Sequence, residues 1–243
     1  MKDFVRKTVL ITGGTSGIGL ALAEAFLREG ANVAVCARSK EALDAFQLKH
    51  PQALAIRADV THAAAREEML KAVAERFGSL DVLVSNAGVL VERNFMTDTP
   101  DAAALAAEFD LNLTAPVQLT AEAIRRFEKL AAIVFVTSGY ALVSPRRSPT
   151  YGAAKAGLRA FAKALRRQGA DRKLHVLEVI PPTVDTPATV HRKVKKVSPE
   201  AVATETLRAL RSGRDEALVG QTRLLPTLLR IAPRAVENLV ANG

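Results

Sequence analysis

The feature that most limits what this chain can become is an alternation. Short apolar runs rich in β-branched residues are followed, each in turn, by longer segments with helical periodicity. The first run is KTVLIT, residues 7–12. A glycine-rich turn comes next, then LALAEAFLREG, amphipathic at helical spacing and closed by Gly30 as the residue just past the helix end. ANVAVCA, ALAIRADV, LDVLVSNAG, AAIVFVTS, KLHVLEVI and EALVG read as further strands. Between them KEALDAFQLKH, AAAREEMLKAVAERFG, an alanine-rich stretch over residues 101–130, a segment beginning near Tyr151 and PEAVATETLRALRSG read as helices. Strands that are apolar almost throughout are buried on both faces, which is the condition of parallel strands joined by crossover helices. The pattern therefore predicts a doubly wound α/β domain: a seven-stranded, mostly parallel sheet with helices on both faces. No composition break, Gly/Ser linker or repeat interrupts it, so residues 1–243 are expected to form a single domain.

Composition narrows the partners. A net charge of +9 invites a nucleic-acid reading, but the basic residues are spread along the chain. Aromatic residues make up only 5% and tryptophan is absent, too few for a base-stacking surface, so no nucleic-acid partner is expected. The densest basic run, HRKVKK at 191–196, reads as solvated loop able to steer anionic ligands. One cysteine, Cys36, excludes an intramolecular disulfide and suits a reducing compartment. The N-terminal apolar run is too short for a signal peptide or a membrane span, and a cytoplasmic location is expected. No cluster of His, Cys or carboxylates has metal-ligand spacing, so no metal is expected.

In doubly wound sheets ligands bind beyond the carboxyl ends of the strands. TGGTSGIG, residues 12–19, lies at the first such end. Gly13 can take the backbone angles of a tight turn, Gly17 lets the chain approach a pyrophosphate, and Gly19 allows close helix–sheet packing. The N–H groups of Thr15, Ser16, Gly17 and Ile18 open the following helix, where phosphate is favoured.

With Thr12 in front, the spacing Gly-x-x-x-Gly-x-Gly resembles the cofactor loop of the short-chain dehydrogenase/reductase family, and the resemblance extends over nearly the whole chain. Asp59 and Val60 in IRADV resemble the family's adenine-contacting pair. SNAG at 85–88 resembles its Asn-Asn-Ala-Gly turn, with Ser85 for the first Asn, and implies cofactor contacts at Asn86, Ala87 and Gly88. The end of the second strand distinguishes the two nicotinamide dinucleotides, an acid favouring a ribose 2′-hydroxyl and a base a 2′-phosphate. Here Ala37 stands in the place of the acid and Arg38 follows, with Ser39 and Lys40 as further donors. NADP(H) is expected over NAD(H); the alternative is that Arg38 stacks on adenine or lies in solvent.

The resemblance also implies a catalytic group. Ser138 ends the fifth strand, Tyr151 opens the next helix thirteen residues later, and Lys155 completes Tyr-x-x-x-Lys. Asn112 in DLNLTAP matches the fourth member, which in the family holds a water that passes protons to the lysine. The residue types suit hydride transfer between a carbonyl and a secondary alcohol. The alkoxide formed needs a proton, and a phenol of reference pKa about 10 supplies one more readily when a cation favours its phenolate. Ser138 can donate to the carbonyl oxygen. Tyr140, without a lysine at the right spacing, reads as a pocket wall.

After the sixth strand the family has Pro-Gly-x-Val-x-Thr, which holds the nicotinamide carboxamide. PPTVDT keeps Pro181, Val184 and Thr186 but puts Pro182 in the glycine position, a form that resembles the DltE-like branch. A substrate loop is expected near residues 187–199 and a helical tail over 222–243. The tail is apolar on one side and carries Arg223, Arg230 and Arg234. Pro226 and Pro233 argue against one long amphipathic helix. It reads as packing or as a contact in a homo-oligomer, dimer or tetramer, in preference to a membrane-surface helix. Two other readings stay open: a dinucleotide-binding scaffold with negligible turnover, and a basic surface-binding protein.

Overall fold

The computed structural model describes residues 3–241. Residues 1–2 and 242–243, the ends of the expected domain and tail, lie outside the described residues. Seven strands form one parallel sheet: β1 (Thr8–Thr12), β2 (Asn32–Ala37), β3 (Leu54–Arg57), β4 (Val82–Ser85), β5 (Ala132–Val136), β6 (His175–Ile180) and β7 (Glu216–Leu218). Their spatial order is β3-β2-β1-β4-β5-β6-β7, so the strand order reverses beside β1. Between β1 and β4 the crevice of a doubly wound sheet opens.

The helices are α1 (Gly17–Arg28), α2 (Lys40–Lys49), α3 (Ala63–Phe77), α4 (Ala102–Phe109), α5 (Ala115–Arg126), α6 (Pro149–Gly169), α7 (Pro199–Ser212), α8 (Leu225–Ile231) and α9 (Pro233–Ala241). They divide between two cores, as strand alternation requires. Val9 and Ile11 of β1 and Val82 and Val84 of β4 face Leu22 and Phe26 of α1, Phe46 of α2 and Leu210 of α7. Leu10, Leu83 and Phe135 face the other way, toward Met69 of α3, Leu119 of α5 and Leu158 of α6. Every residue of β1, β4 and β5 is buried, which explains their unbroken apolar pattern.

The stretch read as one helix over residues 101–130 is divided. Asp101 caps α4 by accepting from the Ala104 N–H at 3.2 Å, and a π-helical turn over Asp110–Thr114 separates α4 from α5. Pro116 has no N–H to give the carbonyl four residues back, that of Asn112. Wider bonds such as Ala115 N–H to Asp110 O replace the α-helical ones here. The helix ends at Arg126 rather than Leu130, since the chain must turn at Phe127 to feed β5. In the tail each proline opens a short helix, Pro226 within α8 and Pro233 at the start of α9. Among the described residues no helix is long and apolar enough to cross a membrane.

Candidate active site

Beyond the carboxyl ends of the strands lies a cavity of about 910 Å³. The glycine turn forms one wall. Gly13 and Gly17 have φ of +66° and +51°, the left-handed region that favours glycine. A Cβ on Gly19 would stand 2.1 Å from the Gly13 carbonyl oxygen, so this turn closes only without a side chain there. Ser16 precedes α1 without a side-chain cap, and Thr15, Ser16, Gly17 and Ile18 face the cavity at the helix N-terminus. Open N–H donors beside a close backbone approach are what a pyrophosphate requires, so these residues fit the expected dinucleotide.

Thr12 and Gly19 do not line the cavity. Thr12 is buried, and its hydroxyl accepts from the N–H groups of Asn86 (2.9 Å) and Ala87 (3.0 Å). The Asn86 amide returns to the carbonyls of Thr12 (2.9 Å) and Gly13 (3.2 Å). The two loops expected to hold a cofactor are thus bolted to each other, and Ala87 and Gly88 are presented to the cavity.

At the end of β2, Ala37 and Arg38 line the cavity, as do Asp59 and Val60 after β3. Burial pushes the Asp59 carboxyl up, but hydrogen bonds from Thr61 (3.0 Å from its N–H, 2.7 Å from its hydroxyl) and the nearby His62 and Arg38 hold it below its ordinary value. Ser39 and Lys40, expected as further donors, are engaged locally. Ser39 caps α2 and donates to Glu41 at 2.8 Å, and Lys40 pairs with Asp44 at 2.6 Å. The Arg38 side chain is exposed and makes no hydrogen bond among the described residues.

Ser138, Tyr151 and Lys155 line the same cavity as Pro181, Val184 and Thr186. Lys155 Nζ lies 5.7 Å from the Tyr151 ring centroid and donates to the Val136 carbonyl at 3.0 Å. Burial pulls the lysine down to about 8. Enclosure of the phenol pushes Tyr151 up to about 12, with Ser138 hydrogen bonding opposing the rise most strongly. The expected lowering of the phenol by the lysine is not among the causes of this shift, which desolvation dominates.

Asn112 is fully buried in the π-turn and does not line the cavity. Its amide donates to the carbonyls of Val89 (2.9 Å) and Glu108 (3.0 Å) and accepts from the Val89 N–H (3.1 Å). A Cβ on Gly88 would meet Asn112 Oδ1 at 2.7 Å and Lys155 Nζ at 3.4 Å, which places these two side chains together under the β4 turn.

Pro182 sits in a trans peptide and lines the cavity. The Pro181 carbonyl accepts from the Gly139 N–H at 2.9 Å, joining the β5 and β6 loops. Thr186 packs on the glycine turn, its Cγ2 being 2.9 Å from where a Gly17 Cβ would lie.

The basic run at 191–196 is only partly the solvated loop that its composition suggests. Arg192 lines the cavity, donates to the Tyr140 hydroxyl at 3.1 Å and pairs with Glu92 of the loop after β4. Tyr140 in turn meets Tyr151 edge-on at 6.4 Å between ring centroids. A second arrangement escaped the sequence reading altogether. Glu108 of α4 is buried, pairs with Arg93 and accepts from Thr150 at 2.9 Å, fixing the turn of α6 just before Tyr151. Its only trace in the sequence is a glutamate on an otherwise apolar helix, which by itself could equally face solvent. No group of three potential metal ligands occurs among the described residues.

Comparison with known proteins agrees with this architecture. The sequence model of the short chain dehydrogenase family matches residues 7–212. The uncharacterized oxidoreductase DltE of Bacillus subtilis is 36% identical over 217 residues, which cover 86% of each chain. A short chain dehydrogenase from Burkholderia cenocepacia in complex with NADP superposes with a TM-score of 0.85, at 23% identity over 99% of both chains. One from Burkholderia phymatum in complex with NAD superposes with a TM-score of 0.83, at 22% identity over 98% of this chain and 97% of that one. The sheet order, the bolted loops and these similarities converge: the chain belongs to the short chain dehydrogenase family, whose members are oxidoreductases.

Proposed function

We propose that this protein is an NADP(H)-dependent oxidoreductase interconverting a carbonyl and a secondary alcohol on a small molecule. The observation that carries the reading is the single cavity that joins the open N-terminus of α1 to Ser138, Tyr151 and Lys155. The nicotinamide dinucleotide, when bound, supplies or accepts the hydride. Thr15, Ser16, Gly17 and Ile18 bind its phosphates, Asp59 and Val60 its adenine, and Pro181, Val184 and Thr186 its carboxamide.

Ser138 donates a hydrogen bond to the carbonyl oxygen, and Tyr151 gives that oxygen a proton as negative charge develops on it. Burial keeps this phenol protonated, as a donor in the reducing direction must be, and a cation beside it would be needed to ease release of the proton. Lys155 orients the ribose and replaces the proton through water held near Asn112, whose own side chain keeps the β4 turn against the lysine.

NADP(H) is favoured because the cavity wall at the end of β2 offers Ala37 and an exposed Arg38 whose guanidinium makes no hydrogen bond among the described residues, and no acid. Titration with NADPH and NADH, followed by nicotinamide fluorescence, is expected to give tighter NADPH binding; stronger NADH binding would reverse the cofactor assignment. Tyr151→Phe is expected to lower turnover on a carbonyl panel by about 10²–10⁴-fold or more while cofactor binding persists. Unchanged turnover in that variant would remove the tyrosine from the chemistry.

A further inference from the structure

Eleven large apolar side chains are exposed among the described residues, and nine of them fall on three segments. Val89, Phe95 and Met96 follow β4; Val190 and Val194 follow β6; Leu224, Leu228, Ile231 and Leu239 belong to the C-terminal segment. All three segments border the same cavity, which Val89, Val194, Leu224, Leu228 and Leu239 line; Phe95, Met96, Val190 and Ile231 lie outside its lining. Exposure is high at Leu224 (62%), Ile231 (76%) and Leu239 (77%). Scattered apolar residues are ordinary on a protein surface, whereas a collection around an opening marks an interaction site.

Two of these three segments carry the positive charge; the one after β4, residues 89–98, holds Glu92, Arg93 and Asp98. Residues 187–198 and 220–241 together hold seven Lys and Arg and one acid, Glu237, so six of the chain's nine net positive charges reside there. Lys193, Lys195, Arg230 and Arg234 are exposed and have no ion pair or hydrogen bond among the described residues. Glu92, Asp185 and Glu205 are already paired with Arg192, Lys196 and Arg223, and Asp98 accepts from the Asn94 N–H and the Thr97 hydroxyl.

We propose that this rim docks on an anionic lipid surface, turning the cavity mouth toward the bilayer so that an amphiphilic carbonyl substrate can enter from it. Apolar side chains beside free cations are the composition of an interfacial contact, in which lysine and arginine stems lie along the acyl boundary and their charges meet the headgroups. Neither α8 nor α9 spans anything; both lie along the surface. A second copy of the chain is disfavoured, since a two-fold contact sets the patch against itself and its excess positive charge against the same excess. A polynucleotide would leave the exposed leucines and isoleucine without a partner. The substrate clause rests on the reading given under Proposed function; the docking does not, and its test reads binding rather than turnover.

The test is sedimentation of the full chain with vesicles of phosphatidylcholine alone, or with part of it replaced by phosphatidylglycerol, across a range of salt. The chain is expected to pellet with the anionic vesicles, less so as salt rises. The quadruple variant Lys193→Gln/Lys195→Gln/Arg230→Gln/Arg234→Gln is expected to bind them about 10²–10³-fold more weakly, at roughly fivefold per cation. Phe95→Ser/Met96→Ser/Ile231→Ser, which changes residues outside the cavity lining, is expected to reduce vesicle binding while the circular-dichroism spectrum, which verifies folding, is retained. Three results would overturn the proposal. One is no pelleting with anionic vesicles at low salt. Another is undiminished binding by the serine variant together with equal competition from heparin, which would identify a polyanion site. The third is a dimer in solution that the serine substitutions dissociate, which would assign the patch to a second copy.

Discussion

At the scale of single residues, Lys155 is held in a costly state. Burial lowers its affinity for a proton from the ordinary value of 10.5 to about 8, so the folded protein resists the charge that the unfolded chain accepts. Between those values the unfolded state binds the extra proton, so stability contributed by this group rises as pH rises from about 8 to 10.5, and the cost is complete below 8. Lys155→Met should therefore stabilise the ligand-free protein near neutral pH by up to roughly 3 kcal/mol, less the lost bond to the Val136 carbonyl. That advantage should shrink toward pH 10; denaturant melts of both proteins across pH measure it, and a gain independent of pH would contradict it. The lysine, the tyrosine and the serine were all legible in the sequence because their spacing is local or follows strand ends. What desolvation does to them was not, since it depends on walls brought from several distant loops. Gly152 makes the same point. It follows Tyr151, and a Cβ there would stand 2.4 Å from Pro145 Cδ, a conflict no local pattern announces. Gly152→Ala should displace the start of α6 and lower turnover more than it lowers NADPH affinity, read as kcat against cofactor Kd.

At the scale of elements, the strands were found to within a few residues because each is apolar on both faces and bounded by turns. The division of α4 from α5 was missed, as alanine-rich periodicity runs straight through it; Pro116 was the signal available. The join between α4, the β4 loop and α6 rests on Glu108, whose partners Arg93 and Thr150 lie 15 and 42 residues away in sequence. Arg93→Ala leaves that carboxylate buried and uncompensated and should cost about 3–5 kcal/mol in chemical denaturation. Combining it with Glu108→Gln should recover most of the loss, whereas additive losses would mean that the pair does not act as a unit.

At the scale of the whole molecule, packing is uneven. The sheet is enclosed on both faces, while no residue of α8 is buried and α9 contributes Val236. Native-state hydrogen exchange should find the amides of α8 and α9 opening with far lower free energies than those of β1, β4 and β5. Protection of the tail equal to that of the sheet would show contacts that this isolated chain lacks. The sheet order carries a further consequence, one for the chain as it is made. β1 finds β2 soon after synthesis, yet its other edge is completed only by β4, where Val9 pairs with Val82. At typical elongation rates of about 5–20 residues per second, the intervening 73 positions take roughly 4–15 s. For that interval a strand that is interior to the finished sheet is an edge: five apolar or threonine residues with a free row of backbone donors and acceptors, open to any neighbouring nascent chain. The strand order that creates the crevice at the site thus also makes the nascent chain that stops short of β4, the first third of the protein, the form most in need of shelter.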